Sequence, residues 1–229
     1  MRIAHIADNH GYFPDFPGEF DFVVHSGDLY PYSNNGRDIN KNRTKKQREI
    51  EFQRDWIIKR IDTINDWLRR KPLLYCAGNH DFFNPCELLN KKGIDATDLT
   101  NKNIDYAGYK WYGFPYVNYL KGEWNWELDQ GELWQQTQWL MDKMGSNTEI
   151  LVAHNPMYGV LDGVDGIHIG NTFLQNAITY RKTSIRLLLS GHIHESPGFV
   201  WLEKMNLAVS NAAGTSRIIK KIRGKWQES

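Results

Sequence analysis

Nine residues of this 229-residue chain have the types and spacing to do chemistry: Asp8, His10, Asp28, Asn79, His80, Asp81, His154, His192 and His194. They fall in five short clusters: Asp8-Asn9-His10, Gly27-Asp28, Gly78-Asn79-His80-Asp81, His154, and Gly191-His192-Ile193-His194. Carboxylate, amide oxygen and neutral imidazole suit manganese, iron, zinc, nickel or magnesium, and no thiolate stands among them. One ion takes about four to six ligands. Asp8, His10, Asp28, Asn79, His154, His192 and His194 are therefore too many for one ion and suit a pair that shares a bridging carboxylate. Two divalent ions roughly 3.5–4 Å apart can clamp a phosphoryl group and activate a shared water. A single-metal hydrolase would leave Asn79 and His154 without a task. In Asp8-x-His10 and His192-x-His194 an extended backbone would turn both side chains the same way, because side-chain direction alternates with period two. Gly27, Gly78 and Gly191 precede ligands and let the chain turn tightly there.

Each cluster sits behind a short apolar run: residues 2–7, 20–25, 73–77, 150–153 and 187–189. Runs of that length and aliphatic content read as strands buried on both faces. In open α/β sheets ligands bind at the carboxyl ends of strands, so five strand ends are expected to carry the candidates to one rim. Helices fill the intervals. Ile50, Ile57, Ile61, Ile64 and Leu68 make one apolar stripe, which predicts a helix over 44–70 ended by Pro72. Further helices are expected over 132–144, with Leu133, Leu140 and Met144 inward and Gly145 as its stop, and over 172–182. A hairpin around Gly108 is expected within 106–116. Strands over 199–202, 207–210 and 215–222 lie close in sequence and read as antiparallel. Alternating strands and helices followed by a β-rich end predict an α/β sandwich, with one domain spanning 1–229.

In order and approximate spacing, the five motifs resemble those of the calcineurin-like metallophosphoesterase superfamily. The Gly191-His192-Ile193-His194-Glu195-Ser196 stretch and the aromatic segment ending in Gly113-Phe114-Pro115 are similar to its small single-domain branch, which includes metallophosphoesterase-domain proteins and class III cyclic-nucleotide phosphodiesterases. The resemblance implies a four-layer α/β/β/α sandwich, two mixed sheets flanked by helices. It implies that Asp8, His10 and His194 bind one ion, that Asn79, His154 and His192 bind the other, and that Asp28 bridges them. Asn79 and His80 would contact the phosphate, His80 would protonate the leaving oxygen, and Asp81 would orient His80. The implied reaction is in-line attack by a metal-bound hydroxide on a phosphoester, with manganese the first choice of metal and a diester favoured over a monoester. A nucleotide or nucleic acid is open as substrate. Leu29-Tyr30-Pro31-Tyr32 replaces the second Asp that often follows Gly-Asp, and residues 34–48 read as an enlarged loop. A non-catalytic scaffold of the same fold is the competing reading, and a full ligand set with His80 counts against it.

The remaining features bound the function. Net charge is +1, so no global field steers the chain to nucleic acid or membrane. The runs Arg37, Lys41, Arg43, Lys45, Lys46, Arg48 and Arg217, Lys220, Lys221, Arg223, Lys225 read first as solvated faces. Clusters such as Tyr30/Tyr32, Tyr109/Trp111/Tyr116 and Trp124/Trp126 read first as core or rim packing; a stacking wall for a nucleobase or aryl ester is the sharper alternative. His5 and His25, inside strands, read as satisfied core histidines, and His168 as a surface-loop residue. Two cysteines, Cys76 and Cys86, make no disulfide framework. No apolar stretch approaches a membrane span and no leader is visible, so the cytoplasm is the expected location, and oligomeric state is not legible.

Overall fold

The computed structural model describes residues 1–33, 44–144, 147–180 and 183–229. In chain order the elements are β1 (Arg2–Ile6), β2 (Phe22–His25), α1 (Lys45–Ile58), α2 (Ile61–Trp67), β3 (Leu73–Tyr75), α3 (Cys86–Lys91), β4 (Ala96–Asp98), β5 (Asn103–Tyr106), β6 (Tyr109–Phe114), β7 (Val117–Asn118), β8 (Glu127–Leu128) and α4 (Gln130–Met144). There follow β9 (Ile150–Ala153), β10 (Gly163–Val164), β11 (Ile167–His168), α5 (Thr172–Tyr180), β12 (Leu187–Ser190), β13 (Gly198–Leu202), β14 (Leu207–Asn211), β15 (Ser216–Ile222) and β16 (Lys225–Glu228).

Two six-stranded mixed sheets dominate, ordered β16-β15-β1-β2-β3-β4 and β13-β14-β12-β9-β6-β5. Strands β1 to β4 run parallel, as do β6, β9, β12 and β14, and the antiparallel strands lie at the edges. Period-two alternation divides each strand between two apolar layers. In β12, Leu187 and Leu189 join Ile3, Val24, Leu74 and Val152 in a layer between the sheets, whereas Leu188 faces the layer that holds α4 and α5. Ala4, Ile6 and Val23 face the opposite way, into a layer with Trp56 and Ile57 of α1, Ile64 of α2 and Leu89 of α3. The result is the expected four-layer α/β/β/α order. A one-residue register slip in a central strand would exchange its two apolar sets, so each register is strongly specified.

Three expectations need correction. The helix over 44–70 is two helices: Arg60 has left the helical region at φ −126, ψ 16, and the chain restarts at Ile61. The stripe is continuous in sequence because both helices cover the same sheet face. Helix α1 opens at Thr44 with a reciprocal cap, in which the Gln47 N–H donates to Thr44 Oγ1 and the Thr44 N–H to Gln47 Oε1, so 44–48 belong to a helix start rather than to a loop. Third, the C-terminal strands are not one antiparallel group. β13 pairs antiparallel with β14, but β14 is parallel to β12, and β15 crosses to the other sheet beside β1. The hairpin around Gly108 is present as β5–β6, with Ala107 and Gly108 both at positive φ. Gly145, the end of the third helix at 181–182, and Arg37, Lys41 and Arg43 lie outside the described residues. Among the described residues, no helix is long and apolar enough to cross a membrane.

Candidate metal and active site

The ends of β1, β2, β3, β9 and β12 deliver the candidate residues to one rim, where the backbone is far from ordinary strand geometry. Asp8 (φ 52), His10 (φ 42), Asp28 (φ 60) and His192 (φ 69) all adopt the left-handed region. Non-glycine residues rarely do so, and such strain persists only where surrounding structure imposes it. Here the Asp8 N–H donates to Gly27 O at 2.8 Å and the His10 N–H to Asp28 O at 3.2 Å, locking the β1 and β2 ends together. Sequence alternation is thus not what aligns Asp8 with His10; the turn is. Gly27 needs its conformation, at φ 112. Gly78 and Gly191 need space instead. A Cβ on Gly78 would lie 2.3 Å from Asp28 Oδ1, and one on Gly191 2.1 Å from Asp8 Oδ2.

Three groups of side chains bring ligand atoms within 4.8 Å of one another: Asp8, His10 and His194; His10, Asp28 and His80; Asp8, Asp28 and His154. Asp28 and Asp8 each occur in two groups, so the groups interlock. His194 Nε2 is 3.4 Å from Asp8 Oδ1. Asp28 Oδ2 is 3.4 Å from His154 Nε2 and 3.9 Å from His80 Nε2, while Asp28 Oδ1 accepts the His80 N–H at 2.8 Å. His192 lies outside the three groups. Its ring centroid is 5.1 Å from that of His154, and its N–H donates to Asp8 Oδ2 at 2.7 Å.

The donor chemistry fits a divalent cation. His154 Nδ1 lies 2.8 Å from the Ser26 carbonyl, which can only accept, so Nδ1 carries the proton. In the neutral imidazole Nε2 then offers a lone pair, yet it faces Asn79 Oδ1, another acceptor, at 3.0 Å. Two facing acceptors need a positive charge between or beside them. A proton can supply it: although burial opposes protonation, the Asp28 and Asp8 carboxylates hold His154 up at about 9. A bound cation would supply it equally. Asp8 Oδ1, His10 Nδ1 and Asn79 Nδ2 are buried with no hydrogen-bond partner, an uncommon state for buried polar atoms. Burial works against ionisation of Asp28 too, but His154, His80 and His10 keep its carboxyl well below the usual range. Burial, with His154 nearby, pushes His192 down to about 4, which leaves it neutral and able to bind a metal. Burial also lowers His80, against the pull of Asp28.

The Asp81 carboxylate accepts backbone N–H groups of the turns at the site. Its Oδ2 accepts the Asp28 N–H at 2.7 Å and the Gly78 N–H at 2.8 Å, and its Oδ1 accepts the Leu29 N–H at 3.0 Å. It clamps the β2 and β3 ends, fixing the turns that carry Asp28 and Asn79. The His80 ring is held by aromatic neighbours: Trp124 at 3.9 Å between centroids, Tyr32 at 4.9 Å and His10 at 5.1 Å.

Two supporting residues escape a sequence reading based on ligand types. Gln53 of α1 is buried; its Nε2 donates to His80 O at 2.7 Å, and its Oε1 accepts the N–H groups of Phe82 and Phe83 at 2.8 and 2.9 Å. The available signal was a polar residue on the sheet-facing side of that helix, four before Ile57. His25 accepts the Gly27 N–H at Nδ1 and so donates from Nε2 to Asn9 Oδ1, at 3.1 and 2.6 Å. Burial holds it neutral, at about 3. His5 is buried and satisfied by two serines, as expected of a core histidine. His168 is half exposed on the β10–β11 hairpin, 2.6 Å from Asp162 Oδ1. Of the aromatic clusters, Tyr30 and Trp111 are core, whereas Tyr32 and Trp124 stand at the site.

No curated protein matches the chain closely. The profile of the family described as calcineurin-like phosphoesterase matches residues 1–196, a stretch that holds every candidate ligand from Asp8 to His194. With interlocked His and Asp groups at the rim of a two-sheet α/β sandwich, the chain belongs to the calcineurin-like phosphoesterase family.

Proposed function

We propose that the chain is a dinuclear-metal phosphodiesterase in which Asp8, His10 and His194 hold one ion, Asn79, His154 and His192 hold the other, and Asp28 serves both. The observation that carries this reading is the interlocking of the donor groups through Asp28, next to Asp8 Oδ1 and His10 Nδ1, which are buried with no hydrogen-bond partner. When bound, such a pair of ions lowers the pKa of a shared water and neutralises charge on phosphoryl oxygens. Manganese is the first choice among the metals this donor set suits. Asn79 and His80 contact the phosphate, and His80 gives a proton to the leaving oxygen. Asp81 positions the turns from below. An open cavity of about 810 Å³ adjoins His80 and leaves room for a second ester substituent, which favours a diester over a monoester and admits a nucleotide or nucleic-acid end. We take 1–229 as one working unit, since β15, beyond the matched stretch, pairs along the whole of β1 behind Asp8. The free thiols of Cys76 and Cys86 suit a cytoplasmic location.

Manganese-loaded protein is expected to hydrolyse bis(p-nitrophenyl) phosphate faster than p-nitrophenyl phosphate. Absence of turnover with manganese, nickel, iron and zinc alike would sink the enzyme reading. His80→Ala is expected to keep both metals and lose about 10²–10⁴-fold in kcat, the usual worth of general acid catalysis. Loss of a metal instead would make His80 a ligand, a role its grouping with His10 and Asp28 also allows.

A further inference from the structure

The cavity beside His80 carries a specific chemical instruction. It is lined by His80 but by none of the seven candidate ligands, so it approaches the rim from the side of the proposed proton donor. Its walls near His80 are the rings of Tyr32 and Trp124, which meet edge to face at 68° with centroids 6.3 Å apart, so that a flat group would lie on the open face of one ring and against the edge of the other. Tyr32 is exposed and also stacks on His10 at 4.8 Å. Trp124 is half-buried and lies against His80, with the Lys45 ammonium 4.3 Å from its ring centre. The loop that carries Trp124 is pinned to the site by the next residue. The Asn125 N–H donates to Asn79 O at 2.9 Å, and Asn125 Nδ2 donates to Asp81 O at 2.8 Å. Trp124 is therefore placed by the same turn that places Asn79 and His80. The rest of the lining is polar and of both signs, with Thr44, Lys45, Lys46 and Glu123; Lys45 and Glu123 form an ion pair at 3.3 Å.

We propose that this cavity is the leaving-group subsite, and that Tyr32 and Trp124 select a phosphoester whose leaving alcohol carries a planar heteroaromatic ring. The proposal rests on the reading of His80 as the residue that protonates the leaving oxygen, because the group beyond that oxygen then lies on the His80 side. Aromatic walls stack any flat π-system. Lys45, Lys46 and Arg48 are largely offset by Glu49 and Glu123 in the lining, so the excess is a single positive charge rather than an anion-binding cluster. Thr44, Lys45, Lys46 and Glu123 line the same cavity and offer donors and acceptors that the edge of a heterocycle can use and a plain phenyl cannot. The ring specificity thus belongs to Trp124 and Tyr32, and the chemistry to the residues at the strand ends.

The test uses full-length protein, manganese-loaded and metal-free, and measures dissociation constants for adenosine, ribose and phenol by ligand-observed NMR. Adenosine is expected to bind at least tenfold more tightly than ribose or phenol, with or without metal, and to inhibit diester hydrolysis competitively. Trp124→Ala is expected to weaken adenosine binding roughly 5- to 100-fold, the worth of one stacked base, while Trp124→Phe restores most of it and guards against a folding artefact. Equal binding of adenosine and ribose, or adenosine binding unchanged in Trp124→Ala, overturns the subsite. Phenol binding as tightly as adenosine overturns the heteroaromatic assignment. Non-competitive inhibition overturns the leaving-group placement. Adenosine binding without any diester turnover would instead defeat the proposed function and leave the pocket standing, so the two failures are distinguishable.

Discussion

At the scale of single residues, the site is defined by how few hydrogen-bond donors meet its acceptors. Asp8 divides its work: Oδ2 takes the His192 N–H, and Oδ1 is left facing His194 Nε2. Asp28 does likewise, with Oδ1 on the His80 N–H and Oδ2 turned towards His154. One oxygen of each carboxylate thus fixes its own orientation and leaves the other free to face the site. If Asp28 serves both ions and His154 only one, the two are not equivalent under substitution. Asp28→Ala is expected to lower manganese content from two towards zero per chain, and His154→Ala from two to one, as counted by elemental analysis after gel filtration. Two ions retained in Asp28→Ala, or both lost in His154→Ala, would remove the bridge. The candidate donor types and their order are legible in the sequence because each residue type announces its donor atom. The left-handed backbone at Asp8, His10, Asp28 and His192 was not, since nothing in an Asp or His marks φ.

Elements position these residues through contacts that sequence periodicity describes only in part. The apolar stripe over 50–68 identified Ile57, Ile61, Ile64 and Leu68 as core-facing, but Ile50 stays outside the core, and the stripe hid the break at Lys59–Arg60, where no proline or glycine signals it. The five strands were legible because each is a short aliphatic run that must be buried on both faces. The partner of β15 was not, because a strand's own pattern does not say which sheet edge it joins. Helix α1 contributes chemistry as well as packing through Gln53, which holds the His80 carbonyl and the two N–H groups that follow Asp81. Gln53→Ala would leave these buried groups unpaired, at about 1–3 kcal/mol. It is expected to lower the denaturation midpoint accordingly and to reduce kcat on bis(p-nitrophenyl) phosphate at unchanged metal content, because the His80 turn loosens while the ligands stay. Gln53→Glu keeps the acceptor for Phe82 and Phe83 but sets a carboxylate oxygen against His80 O, so it should be no milder than Ala in kcat. Full activity in both variants would show that the turn holds itself.

Across the whole molecule the two sheets meet in an apolar layer, and a buried histidine is among the polar ties between them. His5 of β1 places Nδ1 2.8 Å from Ser210 Oγ in β14 of the opposite sheet, and Nε2 3.0 Å from Ser26 Oγ at the end of β2. Neutral imidazole donates at one nitrogen and accepts at the other, and a hydroxyl can meet either. Burial, aided by the positive charge of Arg217, keeps the His5 pKa well below its ordinary 6.5. The unfolded chain therefore takes up a proton near pH 6.5 that the folded chain refuses. A depressed folded-state pKa on a histidine makes native stability full above 6.5 and progressively lost as pH falls below it, by up to about 1.4 kcal/mol per pH unit for one such group. His25, held at about 3 by burial, adds to the same slope from beneath the site. His5→Gln keeps a donor and an acceptor in the layer but removes its titration. Urea denaturation at pH 7, 6 and 5 should find the wild type losing stability faster than His5→Gln, so that any advantage of the histidine at pH 7 shrinks or reverses by pH 5. The difference should be insensitive to metal loading, because His5 lies behind the rim and between the sheets. A stability difference that stays constant over that range would mean that His5 is protonated in the folded chain, and the layer between the sheets would then be wetter than its all-buried lining indicates.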